Sequence, residues 1–231
     1  MTRIESVIFD LDGVLVDSEI WWDDVRVAFA ASHGRAWTAA DRTAVMGANS
    51  AAWARIMRER LDLDLDDRVI ERAVVDGVVE RYRREGAPPI EGAIEAVRRI
   101  GAERPVAVAS SAHAEVISAA LEATGLTGWF AVVVSSDEVA HGKPAPDVYL
   151  ETARRLGVEP AACLVVEDSY NGVLAASAAG MTVVLVPNHS VPPAPGTAGL
   201  ADLVLASLAE LDPAAVTRRD RAVPDAVRVA G

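Results

Sequence analysis

The stretch from Val7 to Glu19 reads VIFDLDGVLVDSE and places two carboxylates, those of Asp10 and Asp12, where a short apolar run meets a turn. The run Val7–Phe9 is typical of an inner strand, and Gly13 marks the turn that follows it. If the turn begins between the two carboxylates, they lie on either side of a small concavity lined by backbone N–H groups. Such a concavity suits a phosphate group that is bound together with a metal ion.

A calcium-binding loop also begins with Asp-x-Asp, so it is the alternative interpretation of this stretch. That loop needs Gly at its sixth position and Glu at its twelfth. Counted from Asp10, Gly13 stands fourth and Trp21 stands twelfth. The spacing therefore disfavours a calcium loop.

Lys143 is the only lysine among 22 basic residues, and all the others are arginine. An ammonium is a compact point charge that fits beside a carboxylate and a phosphate where a planar guanidinium is too wide. The segment around it, Gly142–Asp147, is typical of a turn that leads into a helix. The composition thus indicates a role for Lys143 in a site, with chance survival of one surface lysine as the alternative.

Length and charge limit the classes of function. A chain of 231 residues with 51% hydrophobic residues has enough apolar material for one sizeable α/β domain and a smaller one. The net charge of −12 disfavours nucleic acids and anionic membranes as partners. A divalent cation and one lysine can reverse the potential locally, so a small phosphate ester is still an acceptable partner.

The sequence also predicts a location and a state of assembly. No apolar run approaches the roughly 18 residues that span a bilayer, and no signal-peptide pattern precedes the strand at Val7. We therefore expect a cytoplasmic protein without a membrane partner, and we expect it to be a monomer. The single cysteine, Cys163, lies in an apolar run and is expected to be a core residue.

Short apolar strands alternate with amphipathic stretches from residue 105 onward. This alternation predicts an α/β fold, a Rossmann-like doubly wound parallel sheet covered by helices on both faces. The predicted strands are Val7–Asp10, Pro105–Ala109, Ala131–Val134, Cys163–Val166 and Thr182–Val186, with Asp202–Leu205 as a possible edge strand.

The segment after the first strand has a different character. Helical patterns follow one another there without a strand between them: Glu19–Ala31, Ala52–Leu61 and Asp67–Glu85. An insertion of this length is too long for a loop, so we predict a helical cap domain over residues 17–87. The core domain then comprises residues 1–16 and 88–212, and residues 213–231 form a C-terminal tail.

Polar side chains follow four of the predicted strands. In open α/β sheets ligands bind beyond the carboxyl ends of the strands, so these side chains are expected to converge. Hard oxygen ligands of this kind suit Mg²⁺. The candidate residues are Asp10 and Asp12, Ser110 and Ser111, Lys143, Glu167 and Asp168, although a helix N-cap is an equal alternative for Ser111.

The sequence resembles the haloacid dehalogenase superfamily from Val7 to about Pro187, and its helical insertion resembles the cap of the first subclass. Four ordered motifs carry the resemblance: Asp10-x-Asp12-Gly, Ser110, Lys143-Pro144 and Glu167-Asp168.

The resemblance implies a set of roles. Asp10 would attack phosphorus and become an aspartyl phosphate, and Asp12 would protonate the leaving oxygen and then activate water. Mg²⁺ would be bound by Asp10, Asp168 and the backbone carbonyl of Asp12, with Glu167 reaching it through water. Ser110 and Ser111 would bind the phosphoryl oxygens, and Lys143 would neutralise charge between Asp10 and the phosphate.

Within this superfamily, an acid at Asp12 favours phosphate esters over carbon–halogen bonds, because only the ester benefits from a proton donor. The segment Asp17-Ser18-Glu19 with Trp22-Asp23 resembles hexitol-phosphate and 2-deoxyglucose-6-phosphate phosphatases. A β-phosphoglucomutase would carry an Arg just past Gly47, where this chain has Asn49-Ser50. We therefore expect a phosphatase acting on a sugar or sugar-alcohol phosphate. A mutase and a non-catalytic phosphosugar-binding protein are the alternatives.

Overall fold

The computed structural model describes residues 3–45 and 50–218, and its core is a six-stranded sheet in the order β3-β2-β1-β4-β5-β6. Every neighbouring pair of strands is parallel. The strands are β1 (Ser6–Phe9), β2 (Val106–Ser110), β3 (Val132–Ser135), β4 (Cys163–Glu167), β5 (Thr182–Leu185) and β6 (Leu203–Val204). The predicted Rossmann-like α/β fold is confirmed.

Eight α-helices accompany the sheet within the described residues. Four of them lie between β1 and the next core helix: α1 (Glu19–Ser32), α2 (Ala39–Val45), α3 (Ser50–Leu61) and α4 (Asp67–Glu85). The others are α5 (Ala93–Gly101), α6 (Ala114–Ala123), α7 (Asp147–Leu156) and α8 (Tyr170–Ala178). Short 3₁₀ helices occur at Ser136–Glu138, Pro160–Ala162, Thr197–Leu200 and Leu208–Glu210.

Alternate residues of each strand pack on opposite faces of the sheet, because successive side chains of a strand point in opposite directions. Val7 and Phe9 join the apolar cluster that contains residues of α5 and α6, whereas Ile8 joins the cluster that contains residues of α7 and α8. Cys163 belongs to the second cluster and is fully buried, as expected of a core residue. Each large apolar side chain buried in this way contributes about 1.5–3 kcal/mol.

The four helices α1–α4, here called the helical insertion, pack on one another and extend the first cluster away from the sheet. Trp21 packs edge-on against Tyr82, and Trp22 packs edge-on against Trp53, with ring centroids 5.1 and 6.4 Å apart. These aromatic rings therefore form part of the apolar packing of the helical insertion. The division into a core domain and a cap domain at residues 17 and 87 stays a prediction.

The sequence patterns did not predict α2, a helix of seven residues. Its start is fixed by a reciprocal pair, because Thr38 N donates to Asp41 Oδ2 at 2.8 Å and Asp41 N donates to Thr38 Oγ1 at 3.4 Å. A Thr-x-x-Asp pattern is the local signal of such a start.

Two predicted features lie partly beyond the described residues. The described residues do not include positions 219–231 of the predicted tail. They also do not include Gly47 and Asn49, on which the comparison with a mutase depends. Within the described ranges, none of the helices combines the length and the apolar composition that crossing a bilayer requires.

Candidate active site

The carboxyl ends of β1 and β4 bring three buried carboxylates together. Phe9 pairs with Val166 in the sheet, and the N–H of Asp10 continues this pairing by donating to Val166 O at 3.0 Å. Asp10 therefore leaves β1 beside the point where Glu167 and Asp168 end β4. One carboxylate oxygen from each of the three residues lies within 4.8 Å of the others.

Lys143 enters this group from the loop before α7. Its Nζ donates to Asp10 Oδ1 at 2.7 Å and to Glu167 Oε1 at 2.6 Å, and its side chain is only 6% exposed. The backbone carbonyl of Ala109, at the end of β2, accepts a third bond at 3.3 Å. An ammonium has three N–H donors, and here each of them has an acceptor. The three acceptors lie at the carboxyl ends of three different strands, β1, β2 and β4.

Both carboxylate oxygens of Glu167 accept hydrogen bonds that the sequence did not predict. Tyr149 OH donates to its Oε1 at 2.7 Å, while the N–H groups of Asp168 and Ser169 both donate to its Oε2 at 3.0 Å. The side chain also packs against Gly172, where an added Cβ would lie 1.7 Å from Oε1. Burial acts to raise the pKa of Glu167, but Lys143 and these donors outweigh it and hold the pKa below its usual range.

Asp168 lies under the turn of the first motif. Gly13 has a φ of +82°, and a Cβ built on it would lie 2.0 Å from Asp168 Oδ2. A glycine is therefore required on two grounds, the left-handed backbone and the close approach of the carboxylate. Burial raises the pKa of Asp168 well above its usual range, and the neighbouring carboxylates of Glu167 and Asp10 raise it further.

Asp10 is subject to the same concentration of negative charge. Burial raises its pKa to about 7, because the charges of Glu167 and Asp12 add to the cost of desolvation and the nearby ammonium of Lys143 offsets it only in part. A divalent cation would relieve this repulsion. Oxygens that bind one Mg²⁺ lie about 2.1 Å from it. The three carboxylate oxygens already lie within 4.8 Å of one another, so a small movement of the side chains would bring them to that distance from a shared ion. The donor set therefore fits the predicted cation.

Asp12 lies apart from the three-carboxylate group and faces the helical insertion. Its Oδ1 accepts hydrogen bonds from Ser18 Oγ and, at 3.3 Å, from Trp22 Nε1. Burial raises the pKa of Asp12, whereas these two donors act to lower it. A carboxyl group that holds its proton more strongly than usual is suited to donating that proton.

The two serines after β2 differ in their surroundings. Ser110 is buried at the last position of β2, and its Oγ accepts the N–H of Ala112 at 3.0 Å. Ser111 is exposed, and within the described residues no hydrogen bond or ion pair joins it to the carboxylates. Ser110 thus lies at the same edge of the sheet as Asp10, and the assignment of phosphate binding to either serine stays a prediction.

Several side chains around the site were missed by reasoning from sequence. Tyr149 and Gly172 pack around Glu167, while Ser18 and Trp22 bind Asp12. Asp17 is tied to a distant loop, since Asn188 Nδ2 donates to it at 3.2 Å. Asp17, Ser18 and Trp22 did have a signal in the sequence, because they lie in the segment that resembles the sugar phosphatases.

Comparison with known proteins places this geometry in a family. The chain is 32% identical to the fructose-1-phosphate phosphatase YqaB of Escherichia coli over 79% of its own length and 96% of the relative's. It is also 32% identical to hexitol phosphatase B of Escherichia coli, covering 90% of this chain and 95% of the relative. Phosphatases among the relatives support the predicted enzyme class.

The fold has a counterpart among solved structures. A mutant of CbbY from Rhodobacter sphaeroides, in complex with xylulose-(1,5)bisphosphate, superposes with a TM-score of 0.78 and 26% identity, covering 90% of this chain and 96% of that one. The family model for haloacid dehalogenase-like hydrolases matches residues 4–180. The chain therefore belongs to the haloacid dehalogenase-like hydrolases.

Proposed function

We propose that this protein hydrolyses a small phosphate monoester, a sugar or sugar-alcohol phosphate, through an aspartyl-phosphate intermediate and with Mg²⁺. The observation that carries the proposal is the contact of Lys143 Nζ with both Asp10 and Glu167 in a buried cluster with Asp168. The sugar class is supported by relatives named for fructose 1-phosphate and hexitol phosphates.

The first half of the reaction belongs to Asp10 and Asp12. A carboxylate oxygen of Asp10 forms a bond to phosphorus while the bond from phosphorus to the leaving oxygen breaks. Asp12 gives its proton to that oxygen, so the sugar leaves as a neutral alcohol. Lys143, bound to Asp10 Oδ1, orients the nucleophile and offsets the charge of the incoming phosphate.

The second half regenerates the enzyme. Asp12, now ionised, takes a proton from water as that water attacks phosphorus, and the bond between Asp10 and phosphorus breaks to release inorganic phosphate. Ser110 is assigned to the phosphoryl oxygens because it ends the neighbouring strand.

Asp10 and Asp168 are the residues assigned to bind Mg²⁺, together with the backbone carbonyl of Asp12. Bound there, the ion would neutralise charge on the phosphoryl group. Glu167 is assigned an indirect contact, because Lys143, Tyr149 and backbone N–H groups already fill both of its oxygens. Its role is to hold Lys143 and the start of α8 in place.

The test is a phosphate-release assay over a panel of hexose, pentose and hexitol phosphates, with Mg²⁺ and with excess chelator. We expect release from at least one sugar phosphate with Mg²⁺ and loss of release with chelator. Isomerisation of a hexose phosphate without release of phosphate would instead favour the mutase alternative. Tight binding without any turnover would favour a phosphosugar-binding protein. The monomeric state and the cytoplasmic location stay predictions.

A further inference from the structure

Asp17 lies where the chain leaves the core for the helical insertion, and the proposed reaction gives it no role. Its carboxylate accepts two hydrogen bonds from the loop after β5, because Asn188 Nδ2 donates to Oδ1 at 3.2 Å and Ser190 Oγ donates to Oδ2 at 2.5 Å. Its N–H donates at 2.8 Å to the carbonyl of Pro88, where the chain returns from the insertion. These contacts, here called the Asp17 anchor, join the two connections of the insertion to a loop at the carboxyl end of β5.

Asn188 is itself fixed within the loop after β5. It is only 4% exposed, and its Oδ1 accepts the N–H groups of Ser190 at 2.6 Å and of Val191 at 3.3 Å. An asparagine that closes such a turn over its own backbone has its amide held in one orientation. Only its nitrogen can then bind Asp17, since a carboxylate accepts hydrogen bonds and donates none.

Ser18, the next residue, connects the Asp17 anchor to the reacting group. Its side chain is buried, and its Oγ donates to Asp12 Oδ1. Its carbonyl accepts the N–H of Trp22 at 3.1 Å and so begins α1, from which Trp22 Nε1 donates to the same oxygen of Asp12. Because the peptide unit between Asp17 and Ser18 is planar and rigid, the position of Asp17 sets the position of both donors.

Proton transfer depends on that arrangement. A general acid must lie within hydrogen-bond reach of the oxygen that it protonates, and a displacement of about 1 Å can cost about 10²-fold in rate. Two donors on Oδ1 of Asp12 fix the rotation of its carboxyl group, so that the other oxygen can face the leaving group.

We propose that Asn188 and Ser190 are positioning residues for Asp12, which they orient through Asp17 and the start of α1. This inference rests on the proposed function, because it takes Asp12 as the proton donor to the leaving oxygen. It adds the loop after β5, which none of the four sequence motifs includes, to the parts of the chain on which that step depends.

The first test removes both hydrogen bonds to Asp17 in the double variant Asn188→Ala, Ser190→Ala. The value of kcat should fall at least about tenfold for the sugar phosphate that the wild type hydrolyses fastest, and less than about threefold for p-nitrophenyl phosphate, whose leaving group needs little protonation. Ser32→Ala is the matched control, since it removes a serine hydrogen bond, to Phe29 O at 2.7 Å, at the far end of the same helix. It should keep the wild-type kcat on both substrates.

The second test exchanges the two partners. Asn188→Asp alone places a carboxylate against that of Asp17, and their repulsion should lower kcat for the sugar phosphate at least about tenfold. Adding Asp17→Asn restores a donor and an acceptor with their roles reversed, because the introduced amide can donate to position 188 and still accept from Ser190 Oγ. The exchange should recover kcat to within about threefold of the wild type.

An NMR signal tests the Asp17 anchor without turnover. In protein that carries isotope-labelled tryptophan, the indole N–H of Trp22, assigned with Trp22→Phe, reports on its bond to Asp12. This signal should shift in the double alanine variant. The signal of Trp129, which lies against Arg98 of α5, should not shift.

The outcomes separate this inference from the proposed function. If the wild type releases phosphate from no sugar phosphate, the proposed function fails, and the Trp22 signal then tests the Asp17 anchor on its own. Equal losses on the two substrates, an exchange that recovers nothing, or an unchanged Trp22 signal would each overturn the role of Asn188 and Ser190. Melting temperatures of all variants show whether a loss reflects unfolding.

Discussion

The indole Nε1 of Trp22 donates a hydrogen bond of 3.3 Å to Oδ1 of Asp12 and so joins the helical insertion to the proposed proton donor. Ser18 binds the same oxygen, so both donors come from the start of α1. A movement of α1 relative to β1 would therefore change the hydrogen bonds and the pKa of Asp12 together. The position of the helical insertion is thereby linked to the proton that Asp12 is proposed to transfer.

Trp22→Phe should keep the aromatic packing and remove the hydrogen bond. Loss of one donor to a carboxylate raises its pKa, so the alkaline limb of the kcat profile should move to higher pH. The rate should fall by about 3- to 30-fold for sugar phosphates and less for an activated aryl phosphate, which needs less protonation. Trp53→Phe, which removes no contact to Asp12, is the control, and identical profiles for the two variants would contradict the assignment.

Lys143→Arg should impair catalysis although it keeps the charge. The ammonium occupies a space bounded by Asp10 at 2.7 Å, Glu167 at 2.6 Å and the carbonyl of Ala109 at 3.3 Å, and a guanidinium is too wide for it. We expect kcat/KM to fall at least about tenfold, roughly 1.4 kcal/mol of transition-state stabilisation. Arg104→Lys, the reverse exchange away from the site, should leave the kinetics unchanged. Wild-type kinetics for Lys143→Arg would refute the role of a compact charge.

Gly172→Ala should damage both stability and activity. The added Cβ would lie 1.7 Å from Glu167 Oε1, so either α8 or the carboxylate must move. We expect the free energy of unfolding to fall by about 2 kcal/mol or more, measured by urea denaturation. Gly199→Ala is the matched control, because no atom lies within 4 Å of a Cβ at that position. Equal stability of the two variants would show that Glu167 is not packed as described.

His113 should make stability depend on pH. Its Nδ1 lies 2.6 Å from Asp137 Oδ2 and its Nε2 lies 2.9 Å from Glu71 Oε1 on α4. The hydrogen bond with Asp137 raises the pKa of His113 above its ordinary value of about 6.5, against the opposing effect of burial, and the nearby carboxylates of Glu71 and Glu115 raise it further. The pKa of His113 is therefore higher in the folded protein than in the unfolded chain. Its contribution to the free energy of unfolding is complete below the pKa of the unfolded chain and is lost as the pH rises through the pKa of the folded protein.

Urea denaturation of the wild type and of His113→Gln checks this pH dependence. It is measured at a pH below the pKa of His113 in the unfolded chain and at a pH above its pKa in the folded protein. The difference in unfolding free energy should be larger on the acid side. Glu71→Gln, which removes one partner, should reduce the pH dependence without abolishing it. A difference that is the same at both ends of the window would contradict the charged contact.

The sequence predicted the strand ends of the site because parallel strands buried on both faces form continuous apolar runs. The polar residue that ends each run, such as Asp10 or Glu167, is therefore easy to locate. The rule that ligands bind beyond the carboxyl ends of the strands then placed Asp10, Lys143, Glu167 and Asp168 together, and the structure has them in contact or within one cluster.

The contacts around those residues could not be predicted in the same way. Tyr149 reaches Glu167 only because α7 packs across β2 and β3 and against α8, and Gly172 approaches it only because α8 begins over the end of β4. Both depend on how helices pack rather than on a local pattern. The helix α2 was missed because its seven residues are too few to show a helical period.

Trapping the covalent intermediate tests the central claim most directly. Protein quenched in acid during turnover with Mg²⁺ and then treated with borohydride should contain homoserine at the position of Asp10, because reduction of an aspartyl phosphate yields that residue. Peptide mass spectrometry locates the change, and Asp10→Asn protein should lack both it and the turnover. Continued hydrolysis by Asp10→Asn, or a trapped group on any other residue, would contradict the assignment of Asp10 as the nucleophile.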